Sequence, residues 1–382
     1  MIVYPAEYNA RKEAAFAALA QAAGGRRRLA MVWLNFRDHP ETAARAATAL
    51  ARAKRQPKTP LRRWLKRQLL RGQYNWSRGY FSRHPDHVAV AWNGLSGSRM
   101  AFLAGARDAG AACLHMELAP FPGRITLDPK GVNAEGSVPQ DPGFFRQWVA
   151  GSPNRKTENW RAMGAGMVAR SSRRADVRQG AVDLPDSPYL FCPLQVPDDT
   201  QVTLFSGWCG GMSGFLAALA EAADQLPQGW HLRLKEHPSA RQSLRTALAP
   251  LLASGRVILD NSADSFAQLA ASRGVVTLNS SMGLQAFFHD KPVIVLGRAF
   301  FALPGLVTVA DSQTSLNTAF AQPETLSFDA PLRSAFMTWL DQVYYPRFSF
   351  TAGQPPSADL AAFTAILAAA RAAPLSPRPL LR

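Results

Sequence analysis

The chain alternates short apolar runs with longer stretches in which apolar residues recur every three or four positions. Ala14 to Ala23 reads as a helix, and Leu29-Ala30-Met31-Val32-Trp33-Leu34 as a buried strand. Val88 to Trp92 predicts a second strand ending in Asn93-Gly94, followed by a helix over Met100 to Ala109. Ala111 to Met116 predicts a third strand, ending at Glu117. From Ala119 to Pro142 helical periodicity is lost and Pro and Gly are frequent, which predicts a long functional loop carrying Asp128, Lys130 and Asn133. Arg170 to Asp186 is polar and charged and predicts the junction between domains. A second series begins at Tyr189 to Gln195, with a helix from about Gly214 to Gln225. Strands follow at 230–235, 256–259, 274–278 and 292–296, with helices between them, and an Ala/Leu helix over 358–373 precedes a Pro/Arg tail.

Strand-helix-strand order is the signature of a parallel α/β sheet, and a chain of 382 residues exceeds the usual size of one core. The expectation is an α/β, GT-B-like fold of two Rossmann-like parallel-sheet domains with a cleft between them. Residues 1–185 form an N-terminal, acceptor-side domain with a basic amphipathic insertion at 52–83. Residues 186–345 form a C-terminal nucleotide-sugar-binding domain, and 346–382 a C-terminal helix and tail.

Charge adds one feature that periodicity misses. The formal net charge is +16, and no acidic residue falls between Glu41 and Asp86, where cations run from Arg52 to Arg83. Within that stretch Leu61, Trp64, Leu65 and Leu69 recur at helical spacing, with Arg62, Arg63, Lys66 and Arg67 on the other positions. Two readings stay open: a solvated basic helix packing its apolar stripe on the domain, or a membrane-surface helix using Arg62, Arg63, Trp64, Lys66 and Arg67. No zinc finger or aromatic RNA-binding motif supports a nucleic-acid partner. No apolar run approaches the ~18–20 residues of a membrane helix, the first residues lack a basic-then-apolar leader pattern, and Cys113, Cys192 and Cys209 are few and odd in number. A cytoplasmic protein is expected.

The chemistry gathers at predicted strand ends, where an open α/β sheet binds its ligands. Lys235-Glu236-His237-Pro238 ends an alternating strand, and Asn279-Ser280-Ser281 ends the β-branched run Gly274-Val275-Val276 before a helical pattern. Lys235 and His237 offer charge and a donor to phosphate oxygens, and a serine at a helix start can cap the helix or bind an anion. Lys235, His237, Pro238, Asn279, Ser280 and Ser281 are therefore candidates for a phosphate or nucleotide-phosphate site. Asn93, Glu117, Asp128, Asn133 and Gln195 stand near other strand ends. Glu117 after an apolar strand suits a proton shuttle, and Asp128 in its Gly/Pro-rich loop a nucleophile that reaches a cleft; a cap and a turn residue are the structural alternatives. No Asp-x-Asp motif offers metal ligands, and neither Gly-x-Gly-x-x-Gly nor a Walker A sequence occurs. No metal is expected, and a sugar activated by a single phosphate fits better than a metal-dependent diphosphate donor.

Several separated motifs, in order, resemble the bacterial capsule polysaccharide biosynthesis/export proteins, the retaining β-Kdo glycosyltransferases. They are Ala91-Trp92-Asn93-Gly94, the Glu117-to-Gly123 and Leu127-to-Asn133 segments, Pro193 to Gln201, Lys235 to Pro238, Asn279 to Leu284, and Lys291 to Gly297. The resemblance covers roughly 88–310. It implies a GT-B-like fold and transfer of Kdo from CMP-Kdo, with no cofactor besides that donor, onto a phosphatidylglycerol-type lipid or Kdo-lipid. His237, Ser280 and Ser281 would bind CMP, Asp128 would be the nucleophile and Glu117 the acid/base. Implied partners are a CMP-sugar donor, an anionic glycolipid acceptor, the inner-membrane surface and the capsule export machinery. Gln285 stands where the family pattern has Glu, and Ala119 where it has Gly. The alternative from another class is a non-catalytic capsule assembly or export factor that binds nucleotide or glycolipid.

Overall fold

The computed structural model describes residues 1–30, 33–184 and 186–372. It forms two compact units: Met1–Val138 with the chain from Gln342 onward, and Pro139–Asp341.

The first unit holds a five-stranded sheet of β1 (Ile2–Pro5), β2 (Arg26–Leu29), β3 (Val88–Trp92), β4 (Cys113–Leu118) and β5 (Ile125–Asp128), ordered β2-β1-β3-β4-β5. The first four pair in parallel, and β5 runs antiparallel to β4. Its helices are α1 (Ala10–Ala22), α2 (Thr42–Ala51), α3 (Pro60–Arg83) and α4 (Gly97–Asp108). Every residue of β3 is buried, as a strand covered on both faces requires. Phe16 of α1 stacks on Tyr4 at 4.0 Å, and the same core takes in Phe363 and Leu367 of the C-terminal helix Leu360–Ala372. That shared core is why the C-terminal helix joins this unit.

Two expectations change here. The strand expected at 29–34 forms earlier, as β2, whose three arginines are exposed on the sheet edge and guard it against further pairing. Met31 and Val32 lie outside the described residues. The stretch 119–142 is not one loop, because β5 folds back on β4 and pairs Asp128 with His115 and Thr126 with Glu117.

The second unit holds a six-stranded, all-parallel sheet ordered β11-β10-β9-β6-β7-β8. Its strands are β6 (Tyr189–Pro193), β7 (His231–Lys235), β8 (Val257–Leu259), β9 (Gly274–Thr277), β10 (Val293–Val295) and β11 (Thr308–Val309). The helices are α5 (Pro142–Ala150), α6 (Asn159–Ala165), α7 (Thr200–Phe205), α8 (Met212–Ala223), α9 (Arg245–Ala253), α10 (Ser265–Ala271), α11 (Ser281–Gln285), α12 (Gln313–Ala321) and α13 (Ala330–Trp339). On α8, Phe215, Leu216, Leu219, Ala222 and Ala223 are buried at helical spacing, in one core with Leu190, Leu232 and Leu234 of the sheet.

The division between units falls at 138/139 rather than at the expected 185/186. Phe145 packs on Phe336 with ring centroids 5.0 Å apart and Trp160 on Phe288 at 5.6 Å, tying α5 and α6 to this unit. The polar stretch 170–186 is not a junction either. Its backbone bonds into the unit, Arg173 N–H to Pro238 O at 2.9 Å and Gly180 N–H to Ser262 O at 2.9 Å. Arg174 forks onto the buried Glu236 carboxylate at 3.0 and 2.9 Å. Both units are thus Rossmann-like sheets of a GT-B-like α/β fold. No helix among the described residues is long and apolar enough to cross a membrane.

Candidate functional site

In the second unit the chain runs outward from β6 through β7 to β8, then crosses back to lay β9, β10 and β11 on the other side. The connections leaving the carboxyl ends of the paired strands β6 and β9 therefore lead to opposite sides of the sheet, and such a switch point is where an open α/β sheet forms its crevice. A pocket lies there, enclosing about 660 Å³ including the space open to solvent. Leu194 follows β6, His237 follows β7, Ser280 and Ser281 follow β9, and Arg170 and Gln285 complete the wall.

His237 is the pocket's most distinctive group. Its Nδ1 accepts the Ser239 N–H at 3.0 Å, so the ring proton resides on Nε2, the atom left to donate. Burial, assisted by the Arg170 charge, pushes its pKa down to about 4, so the ring is neutral at pH 7. Arg170, exposed on the pocket wall, supplies the positive charge that His237 lacks. Ser280 caps α11 by accepting the Met282 N–H at 3.2 Å, and its own N–H donates to Thr277 Oγ1 at 2.9 Å. Ser281 beside it is exposed to the pocket.

Other expected ligands also hold the surrounding chain in place. Lys235 lines the pocket but is buried, and its Nζ donates to Arg178 O at 2.8 Å and Ala263 O at 2.6 Å. Those two bonds clamp the chain around β7, and burial lowers the Lys235 pKa from its ordinary value. Asn279 and Gln195 lock together through Gln195 Nε2 to Asn279 Oδ1 at 2.9 Å, while Asn279 Nδ2 donates to Gln201 O and Phe205 O. These two amides fix the loop after β6 and helix α7. Pro238 lines the pocket and accepts the Arg173 N–H.

In the first unit Asn93 follows β3 and Asn133 follows β5, and both have left-handed backbones, φ 60° and 53°. Both side-chain amides donate to the same atom, Glu117 Oε2, at 3.1 and 3.2 Å. Two non-glycine residues held in a costly conformation so as to orient one carboxylate mark a built site. His115 Nδ1 donates to Asn93 O at 2.8 Å, which fixes the first of them. Gly94, at φ 77°, has no room for a side chain, since a Cβ would sit 2.6 Å from His115 Nδ1.

Asp128 does not sit in a loop, as expected of a nucleophile reaching into a cleft. It ends β5, is wholly buried, and accepts five hydrogen bonds. Oδ1 takes the N–H groups of Lys130 and Gly131, and Oδ2 takes Ser137 N–H, Ser137 Oγ–H and the Tyr344 hydroxyl at 2.7 Å. Burial and the Asp128 charge raise the Tyr344 pKa well above the ordinary value, so its hydroxyl stays a donor. In this state the carboxylate organises the 129–137 loop that carries Asn133.

Sequence reasoning missed Arg170, which sits in an irregular segment with no periodic signal, and Tyr344, distant in the chain. It also passed over Glu236, whose carboxylate holds Arg174, Asn261 Nδ2 and the Leu244 N–H. Burial opposes its charge, but these bonds outweigh it and lower the pKa. The expected surface residues Arg62, Arg63, Trp64, Lys66 and Arg67 lie on the first turns of α3 and join neither cluster.

Residues 169–348 match the family model described as capsule polysaccharide biosynthesis protein. The chain is 33% identical over 238 residues to Protein FixF of Sinorhizobium fredii, covering 62% of this chain and 55% of FixF. It is 32% identical over 126 residues to the capsule polysaccharide modification protein LipB of Neisseria meningitidis, covering 31% of this chain and 30% of LipB. The match thus spans about half the length of FixF and less of LipB. Among solved structures, the Thermosulfurimonas dismutans KpsC β-Kdo 2,7 transferase aligns over 97% of this chain and 98% of its own, with a TM-score of 0.51 and 14% identity. That likeness shows a shared GT-B fold. The segment 169–348, which carries Arg170, His237, Ser280 and Ser281, is the part of the chain similar to the capsule polysaccharide biosynthesis proteins.

Proposed function

We propose that the protein is a metal-independent, retaining glycosyltransferase that transfers Kdo from CMP-Kdo to a phosphatidylglycerol-type lipid or Kdo-lipid acceptor. It would work in capsule polysaccharide biosynthesis, in the cytoplasm and peripheral to the inner membrane, beside the capsule export machinery. The observation that carries the reading is the pocket at the β6/β9 switch point. A neutral imidazole donor, one arginine and two serines suit a leaving group with a single phosphate, which needs oriented donors more than heavy charge neutralisation.

In the transfer, the bond between the Kdo anomeric carbon and the CMP phosphate oxygen breaks, and a bond to the acceptor oxygen forms. Glu117, held by Asn93 and Asn133, takes the acceptor hydroxyl proton. Retention by double displacement needs a second carboxylate as nucleophile. Asp128 takes that part only by exchanging the Ser137 and Tyr344 hydrogen bonds at Oδ2 for the anomeric carbon.

The enclosure of Asp128 is also the one observation that favours the second reading, a non-catalytic assembly or export factor. Complementation separates the two. With Glu117→Gln and Asp128→Asn, a transferase loses capsule production, whereas an assembly factor that keeps its fold sustains it. Binding is tested by titrating CMP into wild type, His237→Ala and Arg170→Gln. Saturable binding weakened at least ~10-fold in each variant supports the pocket assignment, and unchanged affinity in both variants refutes it.

A further inference from the structure

The first turns of α3 form an exposed arm whose apolar side is left largely uncovered by the described residues. Leu61, Trp64, Leu65 and Leu69 are 66%, 56%, 52% and 39% exposed, whereas the buried positions of the helix begin only at Leu70. Leu61, Leu65 and Leu69 recur every fourth residue with Trp64 beside them, so they form one stripe. The stripe continues onto Phe36, itself 61% exposed. Gly72 makes room for that ring, because a Cβ there would meet Leu34 at 2.9 Å and Phe36 at 3.4 Å. Asn35 N–H donates to Gly72 O at 2.9 Å and Asp38 pairs with Arg71, which holds Phe36 in line with the helix.

Cations flank the stripe. Arg62, Arg63 and Arg67 are exposed on the same turns, and Arg55 and Lys58 on the segment leading into them. The helix starts from a Thr59 cap and Pro60 and has no acidic residue in its first turn, so nothing in the arm offsets these charges. A stripe of leucines and a tryptophan between cations fits an interface that is apolar within and negative at its surface.

The geometry points to residues 55–69 as a docking arm for an anionic lipid bilayer, with Trp64 and the three leucines entering the headgroup boundary and Arg62, Arg63 and Arg67 meeting lipid phosphates. Charge complementarity selects this occupant. A second copy of the chain would bring an equally cationic arm against the first, and a nucleic acid would leave the stripe in water. The inference rests on the arm's own residues and does not depend on glycosyl transfer.

The test is cosedimentation of the full chain with vesicles of phosphatidylglycerol and phosphatidylethanolamine, against vesicles of phosphatidylcholine alone. Three proteins are compared: wild type, Trp64→Ser/Leu65→Ser, and Arg62→Gln/Arg63→Gln/Arg67→Gln. All three should melt alike and bind CMP alike, since the altered side chains are exposed. Wild type should partition onto the phosphatidylglycerol vesicles only, and each variant should partition about 10-fold less or weaker. Salt should weaken the wild type's binding. Equal binding to both vesicle types, wild type remaining in the supernatant, or variants binding like wild type overturns the inference. So does a wild-type dimer that the Trp64/Leu65 variant converts to monomer, or retention of a nucleic acid in place of vesicles.

Discussion

Lowering the pH from 7 to 4.5 should destabilise the second unit through His237, by an amount the structure supplies. The unfolded imidazole protonates at its ordinary 6.5, while burial and Arg170 hold the native ring near 4. Across that window the unfolded chain binds a proton the native state refuses. Stability present above pH 6.5 is therefore lost as the pH falls toward 4. The whole gap corresponds to about 3 kcal/mol, and about 2–3 kcal/mol of it is spent by pH 4.5. Buried His231 and half-buried His289 lose stability in the same direction, so the single-site effect must be read as a difference. His237→Asn provides it, because its Oδ1 can keep the Ser239 N–H satisfied without titrating. Urea unfolding of both proteins at pH 7 and 4.5, followed by pulsed hydrogen-exchange mass spectrometry on peptides from β6 and β7, reads this unit by itself. The wild type should lose about 2–3 kcal/mol more than the variant between the two pH values. Equal losses would refute a neutral, buried imidazole and with it the acceptor role of Nδ1 toward the Ser239 N–H.

Other consequences are sharper in the clamps around the two clusters. Asn279→Ala strips donors from Gln201 O and Phe205 O and a partner from Gln195, at a cost of about 2–4 kcal/mol. Thermal melting should show it, and an unchanged melting temperature would contradict the lock. Gly131→Ala would set a Cβ 2.5 Å from Glu135 O and should destabilise the first unit by about 1–3 kcal/mol, measured by calorimetry. Asn93→Gly and Asn93→Ala both remove a donor to Glu117. Only the alanine adds the strain of a left-handed backbone, about 1 kcal/mol. Turnover should fall about equally in the two, with the alanine variant melting lower; a turnover loss in the alanine variant alone would place the effect in the fold and not in Glu117.

Much of the fold was legible because its signals are local. The runs at Val88–Trp92, Tyr189–Pro193 and Gly274–Thr277 are apolar enough to be buried strands, and they are. The place of the switch-point pocket was legible from the same kind of signal, since Ser280 stands just beyond the Gly274–Thr277 run and His237 just beyond the alternating strand His231–Lys235. What sequence hid was pairing over distance. Residues 125–128 are flanked by Pro and Gly and read as loop, yet β4 offers them a ladder that turns Asp128 inward. Lys235 and Asn279 look like ligands by residue type, but buried carbonyls claim their donors. The boundary at 138/139 depends on Phe145 and Trp160 finding rings more than 100 residues away. Edge pairing with β1 sets β2 at Arg26–Leu29, a register that the apolar run starting at Leu29 does not announce.

The central claim is tested most directly by mass spectrometry of the acceptor after incubation of the protein with CMP-Kdo and a fluorescent lysophosphatidylglycerol. The account predicts an acceptor heavier by one Kdo residue, with one CMP released for each. An acceptor of unchanged mass, under conditions where CMP binds saturably at the His237 pocket, would contradict it.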